Sequence, residues 1–284
     1  MKRKWTEHDI ELLKLHYNTM PTDYLTKLLS RNMGTITWKA GTLNLGARKT
    51  GITKNTGSYR NKEKLDIIAD KFIALDSPEH LYVLGFIWAD GHIMRVNKRN
   101  YINIEIISDD MNNIRHTLEN TGNWTFTSRH QNNRKPRSNA HLGNRKLVNF
   151  LFENNYENKS KSSPVLLEKI PKHLQKYFLR GWIDGDGCFY SKDRTSQFTL
   201  AGSYKQDWSV IEKYFNDKNI RHKTSSKIST LGHGCSYVRL SNQIDIIKLG
   251  NLIYENTYDG IGLERKFNKY LEIKTKPPRY SLKV

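Results

Sequence analysis

Cysteine is nearly absent from the 284 residues: only Cys188 and Cys235 occur, far apart in the chain. Two thiols cannot build a four-cysteine zinc site, and such sparse use points to a reducing compartment. Both read as packing residues. No uninterrupted apolar run approaches the ~18 residues of a membrane span. The basic start Lys2-Arg3-Lys4 is not followed by an apolar stretch of signal-peptide type. A soluble intracellular protein is expected, with no membrane partner. Acidic residues are scarce beside basic ones, 28 Asp and Glu against 47 Lys and Arg, for a net charge of +19. A field of that sign attracts polyanions, and nucleic acid is the first candidate. No Ser-His-Asp or Cys-His arrangement stands out, so no covalent intermediate is expected.

What the chain does have is one short stretch written twice, Val83-Leu84-Gly85-Phe86-Ile87-Trp88-Ala89-Asp90-Gly91 and Leu179-Arg180-Gly181-Trp182-Ile183-Asp184-Gly185-Asp186-Gly187. Each reads as an almost wholly apolar helix ending in an acid and a glycine, and such a helix is normally buried. Glycine inside a helix costs about 1 kcal/mol relative to alanine. Gly85 and Gly181, at matching positions, therefore suggest two backbones pressed together. Gly85 with Ala89, and Gly181 with Gly185, lie four residues apart on one helix face. If those faces meet, the helix ends bring Asp90 beside Asp186. Paired carboxylates suit magnesium, a cation that keeps several waters and shares substrate phosphates. The unpaired helix-end carbonyls of Ala89 and Gly185 are further oxygen donors.

Both stretches resemble the LAGLIDADG motif of homing endonucleases, in the single-chain form with two copies, and the resemblance covers about residues 75–284. The first copy departs from the motif at Trp88, where its earlier acid would stand. The resemblance implies an α+β fold: a pseudo-twofold pair of αββαββα domains whose antiparallel sheets form a saddle over DNA. It makes Asp90 and Asp186 the metal ligands for Mg2+, or another divalent ion such as Mn2+. It also places a basic residue late in each half to complete the active site, for which Lys159 and Lys266 are the candidates, with Lys161 and Arg265 as neighbours that could substitute. The implied activity is a staggered double-strand break made by a monomer that binds double-stranded DNA. Other uses of the same scaffold are an intron RNA maturase and a transcription regulator. The setting would be the cytoplasm or nucleoid of a bacterial or phage-infected host, or an organelle.

The halves carry their own evidence of duplication. Asp90 and Asp186, Ser108 and Ser203, and Asn144 and Asn242 share a near-constant spacing of about 96 residues, which means a repeated domain. Ser77-Pro78 has the cap and first-turn proline of a helix start, and Pro171 is expected to do the same for the second motif helix. Ser108 and Ser203 read as further caps. Ile102, Ile104 and Ile106 alternate with Tyr101, Asn103 and Glu105, and Phe198 and Leu200 alternate with Gln197 and Thr199. Period-two alternation gives a sheet with one buried and one wet face. Asn103, Glu105, Gln197 and Thr199 are thus candidates for reading base edges. Lys98, Arg99, Lys192 and Arg194, and the run Arg129, Arg134, Lys135 and Arg137, are candidates for phosphate contact.

Residues 1–49 predict three short helices. Thr6 and Asp9 form a capping box, a break falls at Met20-Pro21, Gly34 marks a turn, and a third helix begins near Thr35. There Ile36, Ala40 and Leu43 face inward while Thr37, Trp38 and Lys39 face out. This pattern resembles Myb-like helix-turn-helix modules, in which the third helix enters the major groove. Residues 50–70 read as a basic linker, and the repeated halves occupy 71–165 and 166–284.

Overall fold

The computed structural model describes residues 4–18, 22–46, 63–96, 99–129, 135–193, 195–228, 234–255 and 259–277. The chain forms two compact units, residues 1–65 and 66–284.

The first unit holds α1 (Glu7–His16), α2 (Thr22–Leu29) and α3 (Met33–Thr42). Its core is Leu13, Tyr17, Leu25, Leu29, Ile36 and Ala40, all buried. The expected capping box is present: the Thr6 hydroxyl accepts from the Asp9 backbone N–H, and the Asp9 carboxylate accepts from Thr6. Asp9 also pairs with Arg31 at 3.0 Å, and Arg31 stacks over Trp5. One carboxylate thus ties the start of α1 to the turn after α2. The third helix starts earlier than expected. Asn32 caps it by accepting from Thr35 N–H, which leaves Gly34 inside the first turn instead of at a break.

A helix over 63–73, α4, begins before residue 66 and runs into the second unit, so the end of the expected linker is ordered secondary structure. Residues 50–62, the rest of that linker, lie outside the described residues. Then comes α5 (Pro78–Asp90), followed by β1 (Gly91–Val96), β2 (Arg99–Ile107), α6 (Ser108–Thr121), β3 (Thr125–Arg129), β4 (Arg137–Leu142) and α7 (Arg145–Glu153). A short α8 (Leu166–Lys169) precedes the second half: α9 (Gln175–Asp186), β5 (Gly187–Lys192), β6 (Thr195–Ser203), α10 (Ser209–Asp217), β7 (Lys223–Ile228), β8 (Gly234–Leu240) and α11 (Gln243–Tyr254). A further helix, α12 (Glu264–Thr275), has no counterpart in the first half, where a 3-10 turn at Tyr156–Asn158 occupies that place.

The strands form two antiparallel four-stranded sheets of the same order, β1-β2-β4-β3 and β5-β6-β8-β7. Matching registers set Gly91 opposite Ile104 and Gly187 opposite Leu200. Ile102, Ile104, Phe198 and Leu200 are fully buried against the helices, as the alternation requires. The repeat boundary near 165 separates two halves but not two cores. One apolar cluster runs from Phe72 through both motif helices to Ile273.

The local signals behave unevenly. Asn144 and Asn242 cap α7 and α11 through their side chains. Ser77 sits at the cap position of α5, but its hydroxyl binds Glu79 and His80 side chains instead of a backbone N–H. Pro171 begins a tight turn, its carbonyl accepting from Leu174 N–H, and α9 starts only at Gln175. Ser108 is the first residue of its helix and hydrogen-bonds Ser138. Ser203 ends a strand, and it is Asp207 that accepts from the N–H of Ser209. Among the described residues no helix is long and apolar enough to cross a membrane.

Candidate functional site

The two motif helices run side by side in the same direction, and their contact is reciprocal. A methyl group on Gly85 would overlap the Phe178 carbonyl oxygen, and one on Gly181 would overlap the Tyr82 carbonyl oxygen. Any side chain larger than hydrogen at either position forces the rods apart. Gly185 continues the seam at the tip, where an added methyl would overlap the Ala89 side chain and reach 2.9 Å from Asp90 Oδ2. Both helices are buried over nearly their whole length. The chain leaves each helix through Gly91 or Gly187, the first residue of a strand, so the acids stand at the junction of helix and sheet.

Electrostatics confirm that Asp90 and Asp186 feel one another. Burial, then the Asp90 charge, pushes Asp186 up to about 7. Asp90 is raised as well, chiefly by burial, against the pull of Lys266, Lys159 and Arg137. Burial opposes the ionisation of both acids, and at Asp186 the Asp90 charge adds to it, which makes a site that a divalent cation would relieve. Their hard oxygens fit Mg2+ or Mn2+. No group of three or more His, Cys, Asp or Glu able to hold a metal occurs among the described residues.

The two candidate lysines occupy equivalent places and do the same thing. Lys159 Nζ donates to the carbonyls of Trp88 (3.0 Å), Ala89 (2.7 Å) and Gly91 (2.5 Å). Lys266 Nζ donates to those of Ile183 (2.8 Å), Asp184 (2.5 Å) and Gly187 (2.7 Å). Each ammonium takes up the unpaired carbonyls at the C-terminus of a motif helix, where positive charge is favoured. Ala89, a candidate carbonyl ligand, already accepts a hydrogen bond from Lys159. Burial lowers Lys266 against the Asp184 charge, and burial brings Lys159 down to about 8 against the Asp186 and Asp90 charges. The Tyr156 hydroxyl adds a bond to the Ile87 carbonyl at 3.0 Å.

The acid two residues earlier behaves differently. Asp184 is buried and accepts from Tyr82 OH (3.0 Å) and from the Leu263 N–H (2.7 Å), fastening the entry to α12. Burial pushes it up to about 6. Trp88 fills the same place in the first half and meets Tyr156 edge-on. Sequence reasoning overlooked Arg180, 1% exposed within the second motif helix, which donates to the Ile253 and Ile261 carbonyls and pairs with Asp259.

Each sheet turns one face away from the helices. On the first sheet that face carries the row His92, Asn103, His141 and Thr125. Asn103 is not exposed as alternation suggested. It is 1% exposed, donating to His92 (3.3 Å) and Asn139 (3.4 Å), because its long neighbours close over it. Glu105 is paired with Arg137 at 3.5 Å. Arg129 is exposed and sits opposite Arg137. On the second sheet the row is Cys188, Thr199, Arg239 and Lys223. Gln197 donates to Thr199 at 2.8 Å, and Lys192 is exposed at the end of β5. Cys188 and Cys235, expected to pack, are exposed free thiols on this face. Arg99 is the first residue of β2, whereas Lys98, Arg134 and Arg194 lie outside the described residues. Lys223, Lys227 and Arg239 were missed, although period-two reading of β7 and β8 would have found them. In the first unit, Thr37 and Trp38 are exposed on α3, Trp38 by 66%, with Lys39 half-buried beside them.

No family model and no curated protein matches the chain. Solved structures do resemble it. The homing endonuclease I-WcaI bound to its DNA recognition sequence is 18% identical, covering 68% of this chain and 86% of that one with a TM-score of 0.45. The LAGLIDADG meganuclease I-AabMI bound to uncleaved DNA is 13% identical, covering 70% and 89% with a TM-score of 0.47. I-DmoI in complex with DNA and Ca is 12% identical, covering 69% and 97% with a TM-score of 0.45. Scores below 0.5 at such identities decide nothing about this chain beyond what its own geometry carries.

Proposed function

We propose that the protein is a site-specific DNA endonuclease that makes a staggered double-strand break by metal-dependent phosphodiester hydrolysis, acting as a monomer. The observation that carries this reading is the pair Asp90 and Asp186. Two acids are pressed together at the tips of tightly packed helices, against the pull of their own ionisation. Such a pair has no structural use that two neutral residues would not serve better. Asp90 and Asp186 would hold Mg2+ or Mn2+, which supplies an activated water and stabilises the leaving oxygen. Lys159 and Lys266 keep the helix tips rigid and add positive charge beside the scissile phosphate. Arg129, Arg137, Lys192, Lys223, Lys227 and Arg239 give the sheets a basic face for the DNA backbone, with Gln197 and Thr199 facing base edges. The three-helix unit would add contacts through the exposed face of α3.

The test uses a library of random-sequence duplexes incubated with the protein and Mg2+. Cleavage of a defined subset is expected, and none without a divalent ion. Asp90→Asn and Asp186→Asn should each retain binding while cutting of at least one strand collapses. Cleavage at the parent rate in both variants would remove the metal-site reading.

A further inference from the structure

The two lysines share two corresponding carbonyl partners, Trp88 with Asp184 and Gly91 with Gly187, but not their surroundings. Lys159 borders a cavity of 330 Å³ lined by Trp88, Asp186, Gly202, Ser203 and Gln206 among others. Displaced by the repeat spacing of about 96 residues, Ala201 and Gln206 correspond to Glu105 and Asp110 in the first half. On that side the space beside Lys266 is filled. Asp110 takes a two-pronged ion pair from Arg265, with Nε and Nη2 each 2.6 Å from a carboxylate oxygen. Glu105, in the place of Ala201, is paired with Arg137. Arg265 directly precedes Lys266, as Asn158 precedes Lys159, and Asn158 and Gln206 have no charge with which to build the same clamp. The consequence is visible in exposure: Lys266 is 5% exposed, whereas Lys159 is half-buried and faces the cavity. A bidentate guanidinium–carboxylate pair holds a fixed geometry, and here it joins a nearly buried Asp110 to an Arg265 side chain that is 55% exposed, at the solvent edge of the space beside Lys266.

We infer that Asp110 and Arg265 are positioning residues that close the Lys266 side of the acid pair and leave the Lys159 side open, so that the DNA strand lying over Lys159 and Asp186 is cut first. This rests on the nuclease reading for the order of cutting, but not for the closure itself. Water and a phosphate can reach the cavity beside Lys159 without moving any ion pair. On the other side they must first displace a clamp that joins α6 of one half to α12 of the other.

The closure is measured on the whole protein without DNA, by a brief pulse of acetic anhydride and quantification of acetylated peptides. Lys159 should react roughly tenfold faster than Lys266, since a buried group reacts only through local opening. Replacing the clamp by its counterparts, Asp110→Gln with Arg265→Asn, should shrink that difference to about twofold. The reverse transplant, Asn158→Arg with Gln206→Asp, should slow Lys159, and it serves if the first double variant fails to fold. Equal labelling in the parent, or an unchanged difference in both variants, overturns the closure. Strand order is then read on duplexes selected from the random library and end-labelled on either strand. The parent should accumulate a nick in one defined strand, and Asp110→Gln with Arg265→Asn should bring the two strand rates together. Equal strand rates in the parent overturn the order of cutting. Unequal lysines with no cleavage under any divalent ion would instead defeat the nuclease reading and leave the closure standing.

Discussion

The two halves of the larger unit agree where backbones touch and differ where side chains surround them. Gly85 and Gly181 make mirror contacts, and Lys159 and Lys266 each cap three carbonyls at the end of a motif helix. Yet Lys159 comes from a 3-10 turn and Lys266 from the first turn of α12. Trp88 stands where Asp184 does, and an open cavity stands where Arg265 grips Asp110. Backbone packing leaves no slack, because a seam with carbonyls at the glycine surface accepts only hydrogen there. The second layer can be filled by an aromatic ring, an ion pair or water, provided the carbonyls remain bonded. Duplication thus preserved the contact that positions the acids and released the residues around it.

The strongest challenge to that equivalence is at the seam. Gly85→Val and Gly181→Val should destabilise the larger unit alike, by about 3 kcal/mol or more, since neither side chain can avoid a backbone carbonyl. Thermal unfolding of the two variants measures this, and a large effect at only one glycine would break the symmetry. The lysines should separate next. Lys266→Ala removes an ammonium from sealed carbonyls, of which only that of Ile183 keeps a backbone partner in the Gly187 N–H, and should cost about 2–3 kcal/mol, while Lys159→Ala should cost about 1 kcal/mol because the cavity admits water to its carbonyls. Denaturant titration of the pair reads the difference, and equal losses would argue that both sides are equally closed.

A smaller effect, opposite in sign, belongs to the acids. Asp186 ionises near its ordinary 3.8 when unfolded and at about 7 when folded. Between those values the folded chain holds a proton that the unfolded chain has released, so stability falls as pH rises from about 4 to about 7. Asp186→Asn removes this penalty and should raise stability at pH 8, with no gain at pH 3. Melting curves at the two pH values test it, and a variant less stable at pH 8 would contradict the account. The smallest effect is expected in the first unit. Trp38 is 66% exposed, so Trp38→Ala should change stability by less than about 0.5 kcal/mol. Binding to duplex DNA should nevertheless weaken several-fold, and unaltered affinity would reject a DNA role for that helix face.

Legibility in the sequence followed the range of the interaction. The capping box at Thr6 and Asp9 and the alternation of Ile102, Ile104 and Ile106 depend on neighbours within a few residues, and both are present. Ser77, Ser108 and Ser203 show the limit of the same reasoning. Each has a cap-forming hydroxyl, but a competing side chain or strand took it, and composition does not say which partner is nearer. Asn103 fails for another reason. Alternation places it on the open face, but whether that face is covered depends on His92 and Asn139 across two ladders. Arg180 and the Asp110–Arg265 pair were invisible because their partners lie 73 to 155 residues away.

By itself the sequence determined that two glycine-bearing apolar helices each end in an acid, and that two halves repeat around them in a strongly basic chain. A rod without a polar face must be buried, and a glycine kept inside it must meet something close; those are local necessities. Only the tertiary structure decided what lies beside each acid. Charge pairing across 155 residues, the depth of each lysine and the survival of a cavity on one side depend on how the halves close on each other. Nothing local to either half encodes that closure.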